Sequence, residues 1–179
     1  MRANYPFENA RTQEDFLDAF LEESDAIEGE HTAMLERECA EMFLKLKMLT
    51  VKDVAHMALM ITPAAQLRNK SGMDVRVGPH RPPRGSVDVE DNLRLLLGRI
   101  NSFVSKVRRH SREAMSLALS THSEFECLHP FMDGNGRVGR LLWLYVMQST
   151  APSYLFAKKY GFLHSWYYQS LEGKKGGWI

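Results

Sequence analysis

The chain has 179 residues, of which 44% are hydrophobic and 25% charged, and its formal net charge is +1. These values are typical of a single globular domain with its own core. The sequence also argues against a membrane-spanning or a secreted protein. No apolar run approaches the ~20 residues of a membrane helix, and the acidic N-terminus lacks a signal-peptide pattern. Neither half of the chain is basic enough to favour nucleic acid as a partner. We therefore expect one domain over residues 1–179, in the cytoplasm, with no nucleic-acid or membrane partner.

The charge is unevenly distributed along the chain. Residues 1–50 hold 12 acidic and 5 basic residues, whereas residues 51–179 hold 10 acidic and 18 basic residues. The acidic segment is either a solvated helix on an ordinary body or a segment that docks against a basic, phosphate-binding surface.

The spacing of apolar residues predicts helices along most of the chain. A sequence like a capping box, Thr-Gln-Glu-Asp, begins the first helix at Thr12, and Gly29 is a stop signal. A second helix is predicted over residues 34–46, and a third runs from a cap at Thr50 towards Ile61.

Residues 69–85 interrupt the helical pattern. The segment Met73–Val77 alternates with period two, which predicts a short strand, and Gly72 and Gly78 frame it. This pattern indicates a small β-hairpin or an extended flap; the alternative is a long surface loop.

Helical spacing resumes over residues 89–107. Ser111 is a candidate cap for the next helix, which Pro130 should end because proline lacks the backbone N–H. Residues 137–148 are apolar nearly all round, so we expect this helix to be buried at the centre of the domain. One more helix is predicted around residues 166–171.

The loop before the central helix carries the most specific pattern, His-Pro-Phe-Met-Asp-Gly-Asn-Gly-Arg-Val-Gly-Arg at His129–Arg140. Gly134 and Gly136 allow the backbone to approach a ligand closely. The free N–H groups and the dipole of the new helix then form an anion site, for which phosphate is the usual ligand. Arg137 and Arg140 lie on one side of its first turn and can both bind phosphate oxygens.

Two further side chains in the loop carry reactive groups. Asp133 is well placed to hold Mg²⁺ between the phosphates of a bound nucleotide. His129 is a titratable base beside an electrophilic phosphorus. A zinc site made of His122, Cys127 and His129 is disfavoured, since only three donors converge and their spacing matches no known zinc pattern.

This sequence resembles the motif of the Fic family, His-Pro-Phe-x-(Asp/Glu)-Gly-Asn-Gly-Arg-x-x-Arg, at all nine fixed positions. The resemblance extends over roughly residues 15–172. It implies an all-α Fic fold, in which a helical bundle surrounds a central motif-bearing helix pair (residues 111–150). It also implies a small β-hairpin flap (residues 69–85) and an N-terminal segment (residues 1–30) with an inhibitory helix.

The resemblance implies an enzyme that moves AMP from ATP, with Mg²⁺, onto a Tyr, Thr or Ser hydroxyl of a target protein. His129 would be the general base and Asp133 the Mg²⁺ ligand. The remaining residues would bind ATP: the anion hole is formed by Gly134, Asn135 and Gly136, the phosphate chain is held by Arg137, and the γ-phosphate by Arg140. Tyr168 could stack on the adenine. The flap at residues 72–85 would bind an extended segment of the target, and self-modification and a homodimer are expected of the family.

A second match concerns regulation. Ser24-Asp-Ala-Ile-Glu28-Gly29 fits the inhibitory pattern (Ser/Thr)-x-x-x-Glu-(Gly/Asn) of many Fic proteins. Ser24 and Glu28 are four residues apart and share one face of a helix. The resemblance implies that Glu28 pairs with Arg140 and obstructs the γ-phosphate site.

Two alternatives remain open at this point. Some Fic relatives remove AMP by using the inhibitory glutamate to orient a water, and Glu28 allows that reaction here. The chain could also be a non-catalytic binding module or a toxin-like partner of another protein. The intact motif favours the transferase, and an inhibitor within the same chain lowers the need for a separate one.

Overall fold

The structure is a computed structural model, and it describes residues 10–29, 33–106 and 111–152. In this part the helices are α1 (Gln13–Glu28), α2 (Ala33–Leu44), α3 (Val51–Ile61), α4 (Val87–Lys106), α5 (Ser111–Leu128) and α6 (Asn135–Thr150). The all-α prediction is confirmed. None of these helices is long and apolar enough to cross a membrane. The helix predicted at residues 166–171, and Tyr168 with it, lies outside the described residues.

The start and the end of α1 follow the signals read from the sequence. The Thr12 hydroxyl accepts a hydrogen bond from the Asp15 N–H (3.0 Å), and the Asp15 carboxylate accepts one from the Thr12 N–H (2.8 Å). Such a capping box satisfies donors that the first turn of a helix leaves free. Gly29 ends α1 in the left-handed region, with φ of 72°. The cap predicted at Thr50 for α3 is formed in the same way.

The core is built around α6, which contacts each of the other five helices. Trp143 and Tyr145 are fully buried in its middle. The ring of Phe20 stacks on Trp143 with centroids 6.0 Å apart, and the ring of Phe43 lies 5.5 Å from that of Tyr145. The central position predicted for this helix is therefore confirmed, and the Phe20–Trp143 stack fixes α1 against it.

Helices α5 and α6 pack tightly against each other at Gly139. A Cβ at this position would lie 2.6 Å from Glu126 Oε1 and 2.9 Å from His122 Nδ1. Both side chains belong to α5 and are shielded from solvent. The two central helices therefore need a glycine where they cross.

Replacing Gly139 by alanine is expected to destabilise the protein by about 1–3 kcal/mol, because the new methyl group overpacks the crossing. Gly98 is a matched control, since it is also a helical glycine but no atom lies within 4 Å of the Cβ position. Gly98→Ala should be stabilising by about 0.5–1 kcal/mol because alanine favours the helix. Urea unfolding of the two variants measures both effects; equal changes would contradict the tight crossing.

The flap differs from its prediction. The regular strand expected at residues 73–77 is not formed, and an isolated antiparallel bridge between Val77 and His80 takes its place. The two residues exchange main-chain hydrogen bonds of 3.1 and 2.9 Å around a turn in which Gly78 has φ of 57°. A strand requires a partner along its length, and in the described part none runs beside residues 73–76. The predicted hairpin is therefore reduced to its turn, and the rest of the flap is extended loop.

Candidate functional site

His129 follows the last residue of α5 and has an unusual backbone conformation. Its φ is 47°, the left-handed region that residues other than glycine rarely adopt. Its N–H still donates to the Phe125 carbonyl (2.8 Å), and Pro130 comes next. A residue before proline is disfavoured in the right-handed helical region. The end of α5 at this point confirms the prediction from Pro130, and it turns the chain abruptly at the histidine.

The loop after His129 is braced by Asn135. The Asn135 side-chain amide accepts from the Phe131 N–H (2.9 Å) and donates to the Phe131 carbonyl (2.8 Å). Phe131 is fully buried and forms an antiparallel bridge with Leu67. The side chain of Asn135 is thus committed to the loop, so only its main-chain N–H is left to serve an anion site.

The N-terminus of α6 presents main-chain donors. Gly134 has φ of 74°, and a Cβ there would lie 2.9 Å from the Thr62 methyl group. Its N–H donates to Asp133 Oδ1 (2.7 Å), so it is already occupied. The N–H groups of Asn135 and Gly136, by contrast, meet no acceptor in the described part of the chain. Two free N–H groups at the positive end of a helix dipole are what an anion site requires, so the anion site stays a prediction that this geometry allows.

Arg140 is fully buried one turn further along α6, and it is bonded to α1. Its Nε donates to the Ser24 hydroxyl (2.9 Å), and its Nη2 donates to the Ser24 carbonyl (3.2 Å) and to Glu28 Oε1 (2.6 Å). A Cβ at Gly136 would lie 2.5 Å from the same Glu28 oxygen. The Glu28 carboxylate therefore lies over the start of α6, where a phosphate would bind.

The imidazole of His129 is neutral at neutral pH. Burial, together with the positive charge of Arg68, lowers the pKa of His129 to about 4. Its Nδ1 lies 3.9 Å from Glu126 Oε2, a distance that would suit an ion pair if the imidazole were protonated. The lowered pKa excludes that pair near pH 7, so His129 is in the unprotonated form that a general base requires.

Glu126 is a buried acid beside His129. Burial raises its pKa to about 7 from an ordinary value of 4.5; the nearby charge of Arg140 opposes this shift and that of Glu28 adds to it. One of its oxygens, Oε1, is buried and has no hydrogen-bond partner among the described residues. Folding therefore shifts the protonation equilibrium of Glu126 towards the protonated form.

Replacing Glu126 by glutamine should change the pH dependence of stability. A pKa raised in the folded state gives a contribution that is complete below about pH 4.5 and lost as the pH rises through about 7. From pH 5 to pH 8 the variant should therefore gain about 1–3 kcal/mol in free energy of unfolding relative to the wild type. Urea unfolding at both pH values tests this, and a constant difference would contradict the raised pKa.

Asp133 is the candidate metal ligand. It is exposed, and its carboxylate accepts hydrogen bonds from the Gly134 N–H and from the Thr62 hydroxyl (3.2 Å). No cluster of three or more His, Cys, Asp or Glu side chains that could hold a metal ion occurs in the described residues. A single carboxylate fits an ion whose remaining ligands come from the phosphates of a nucleotide and from water.

The structure places the predicted side chains of the site in two neighbouring regions, a cluster around Arg140 and the loop that follows α5. Ser24, Glu28, Gly136 and Arg140 are brought into one cluster, and His129 and Asp133 lie on the loop beside it. Arg137 is buried in the first turn of α6.

Sequence reasoning missed Arg68. This residue is fully buried and donates from Nε to the His129 carbonyl (2.7 Å) and from Nη2 to the Leu128 carbonyl (2.9 Å). No sequence signal distinguishes it, because it is a single arginine in a polar segment before the flap.

The helix–loop–helix, with free N–H groups and a buried arginine at the start of a central helix, is an arrangement suited to a phosphate-like anion. Comparison with known protein families matches residues 39–147 to the Fic/DOC family. The match spans more than half of the sequence, and the chain belongs to this family. Members of the family generally transfer a nucleoside monophosphate to proteins. The matched range begins after α1, so it does not include Ser24 and Glu28.

Proposed function

We propose that the protein transfers AMP from ATP to a hydroxyl group of a target protein and is restrained by its own helix α1. The observation that carries this proposal is the position of the Glu28 carboxylate, which bonds to Arg140 and lies against Gly136. A carboxylate in a phosphate site is an anion in competition with the substrate. The same contact therefore supports both a nucleotide site and its inhibition.

The transfer uses His129 as the general base. The neutral imidazole takes the proton of the attacking hydroxyl, whose oxygen forms a bond to the α-phosphorus of ATP. The bond from that phosphorus to the oxygen that bridges to the β-phosphate breaks, and pyrophosphate leaves. Mg²⁺ held with Asp133 would supply positive charge to the phosphates. Most of the rate acceleration should come from positioning and charge neutralisation, as in other phosphoryl transfers.

Helix α1 restrains the reaction by occupying Arg140. In the structure Arg140 donates hydrogen bonds to Ser24 and Glu28, and the Glu28 carboxylate neutralises the charge of the guanidinium. The γ-phosphate of ATP needs the same arginine and the same space, and two anions there repel each other. Productive binding of ATP therefore requires the end of α1 to move. Arg137, one turn earlier, is proposed to hold the rest of the phosphate chain.

The flap is proposed as the place where the target binds. The main-chain groups of residues 74–76 pair with no other main chain in the described part of the structure, so an extended peptide could add to them as a strand.

The reaction class is tested with the Glu28→Gly variant, Mg²⁺ and whole-cell lysate. Parallel reactions contain ATP labelled on the α-phosphate or on the γ-phosphate. Transfer of AMP predicts a labelled protein band only with the α-label, including the chain itself if it modifies itself. Label from the γ-phosphate would instead indicate a phosphotransferase. Release of AMP from a pre-modified protein by the wild type, which keeps Glu28, would indicate hydrolytic removal of AMP.

A further inference from the structure

The carbonyl groups at the end of α5 are satisfied by side chains from another segment. The last turn of a helix leaves carbonyls without an internal partner, and a cation there is favoured by the helix dipole. The last turn of α5 contains no basic residue. Arg68 takes this place by donating to the carbonyls of Leu128 and His129, and His80 Nε2 lies 3.0 Å from the Cys127 carbonyl.

The same guanidinium also joins the two sides of the flap. Arg68 Nη1 donates to the Met73 carbonyl (3.2 Å) and to the Pro83 carbonyl (2.8 Å). The main chain of Arg68 adds two bonds, since its N–H donates to the Pro130 carbonyl (2.9 Å) and its carbonyl accepts from the Ser86 N–H (3.1 Å). One residue thus connects both ends of the flap with the backbone on either side of the His129–Pro130 peptide bond.

Keeping a positive charge at this position is costly. Arg68 has 0% of its surface exposed, and no ion pair joins it to a carboxylate in the described part of the chain. Four main-chain carbonyls replace water around its charge. An apolar side chain would fill the space without the desolvation cost, but it would leave all four carbonyls unsatisfied.

We propose that Arg68 is a positioning residue for the transfer reaction: it fixes the left-handed backbone of His129 and holds the flap to it as one unit. The base and the surface proposed to bind the target then keep a constant relative geometry. This inference rests on the proposed function, and it adds a residue that does not itself touch the nucleotide. An error of about 1 Å in such a geometry is enough to lower a rate by about 100-fold.

Arg68 also acts on His129 through its charge. The charged and titratable groups around the imidazole are Arg68 and His80 from the flap side, Asp133 from the loop and Glu126 from α5. Arg68 and His80 disfavour protonation, whereas Asp133 favours it. Removal of the Arg68 charge should therefore raise the pKa of His129, a change that loosened packing alone does not predict.

The test compares Arg68→Met, Arg68→Lys and Arg68→Gln, each in the Glu28→Gln background. Arg94→Met is the control, because Arg94 is an exposed arginine of α4, outside both the flap and the site cluster. At saturating ATP we expect Arg68→Met to transfer AMP about 10- to 100-fold more slowly than its parent, with Arg68→Lys in between and Arg94→Met unchanged. The ATP concentration for half-maximal rate should stay within about twofold in all of them, because Arg68 binds no part of the nucleotide site.

A second readout does not require activity. NMR titration of the His129 imidazole should give a higher midpoint in Arg68→Met than in the parent, and amide exchange in residues 73–83 should be faster. Arg68→Gln takes the place of Arg68→Met if the latter does not fold. A parental rate together with a parental His129 titration would overturn the proposal, as would an equal loss of rate in Arg94→Met. If the parent transfers no AMP, the proposed function fails, and the titration and amide exchange still decide the role of Arg68.

Discussion

Replacing His129 by alanine is expected to slow AMP transfer by about 10²- to 10⁴-fold, the usual contribution of a general base. The imidazole is neutral near pH 7 because its pKa is lowered to about 4, so it is in the form that accepts a proton. The side chain of His129 makes no hydrogen bond to the loop that would carry the phosphates; the loop is held by Asn135 and Phe131. Binding of ATP should therefore stay within about twofold of the parent.

The experiment is made in the Glu28→Gly background, so that a rate is measurable before the second substitution. Transfer is followed with ATP labelled on the α-phosphate, and binding by calorimetry. His56→Ala is a suitable control because His56 is exposed on α3, outside the site cluster. If the His129→Ala variant kept most of the parental rate, His129 would not be the base. A joint loss of binding and rate would mean that His129 supports the nucleotide site itself.

Replacing Glu28 by glycine or glutamine is expected to raise AMP transfer by at least about tenfold, which corresponds to about 1.4 kcal/mol of competing interaction. The Glu28–Arg140 bond of 2.6 Å involves a fully buried arginine and a partly exposed carboxylate. Glutamine removes the charge but keeps the shape, whereas glycine also frees the space over Gly136. The glycine variant should therefore be the faster of the two.

The control for this prediction lies on the same helix. Glu22 is exposed on α1, so Glu22→Gln makes the same chemical change away from Arg140. It should leave the rate unchanged. Both Glu28 variants should also bind ATP more tightly than the wild type, because the arginine no longer has to exchange one anion for another. If Glu22→Gln raised the rate of AMP transfer by the same factor, the net charge of α1, and not the Glu28–Arg140 ion pair, would be the cause.

The parts of the fold that the sequence predicted are those with local causes. The capping box at Thr12 and the stop at Gly29 each act within one turn of the chain, and both bounds of α1 are as expected. Pro130 ends α5 through the lack of one N–H group. The continuous apolar run of α6 needs no partner information to indicate burial.

The parts that were missed depend on distant partners. Apolar and polar side chains alternate at Met73–Val77 as they do in a strand. No neighbouring strand exists in the described part to form a ladder of main-chain hydrogen bonds with this segment. The side chain of Asn135 bonds within the loop instead of facing a ligand, which its place in the motif does not reveal. Arg68 acquires its role from carbonyls that lie about 60 residues further along the chain.

The contact between Glu28 and Arg140 depends on distant partners, yet the sequence predicted it. The two residues are 112 positions apart, so spacing within the sequence could not join them. Only the paired patterns, an inhibitory sequence on α1 and a phosphate motif at α6, predicted that they meet. The fold then brings α1 to α6 through an unrelated contact, the stack of Phe20 on Trp143.

The central claim is that Glu28 restrains a His129-dependent AMP transferase, and one measurement tests it most directly. Wild type, Glu28→Gly and the double variant Glu28→Gly/His129→Ala are incubated side by side with lysate, Mg²⁺ and ATP labelled on the α-phosphate. We predict weak labelling of protein by the wild type, at least about tenfold stronger labelling by Glu28→Gly, and background labelling by the double variant. Equal labelling by the wild type and Glu28→Gly, or strong labelling by the double variant, would contradict the claim.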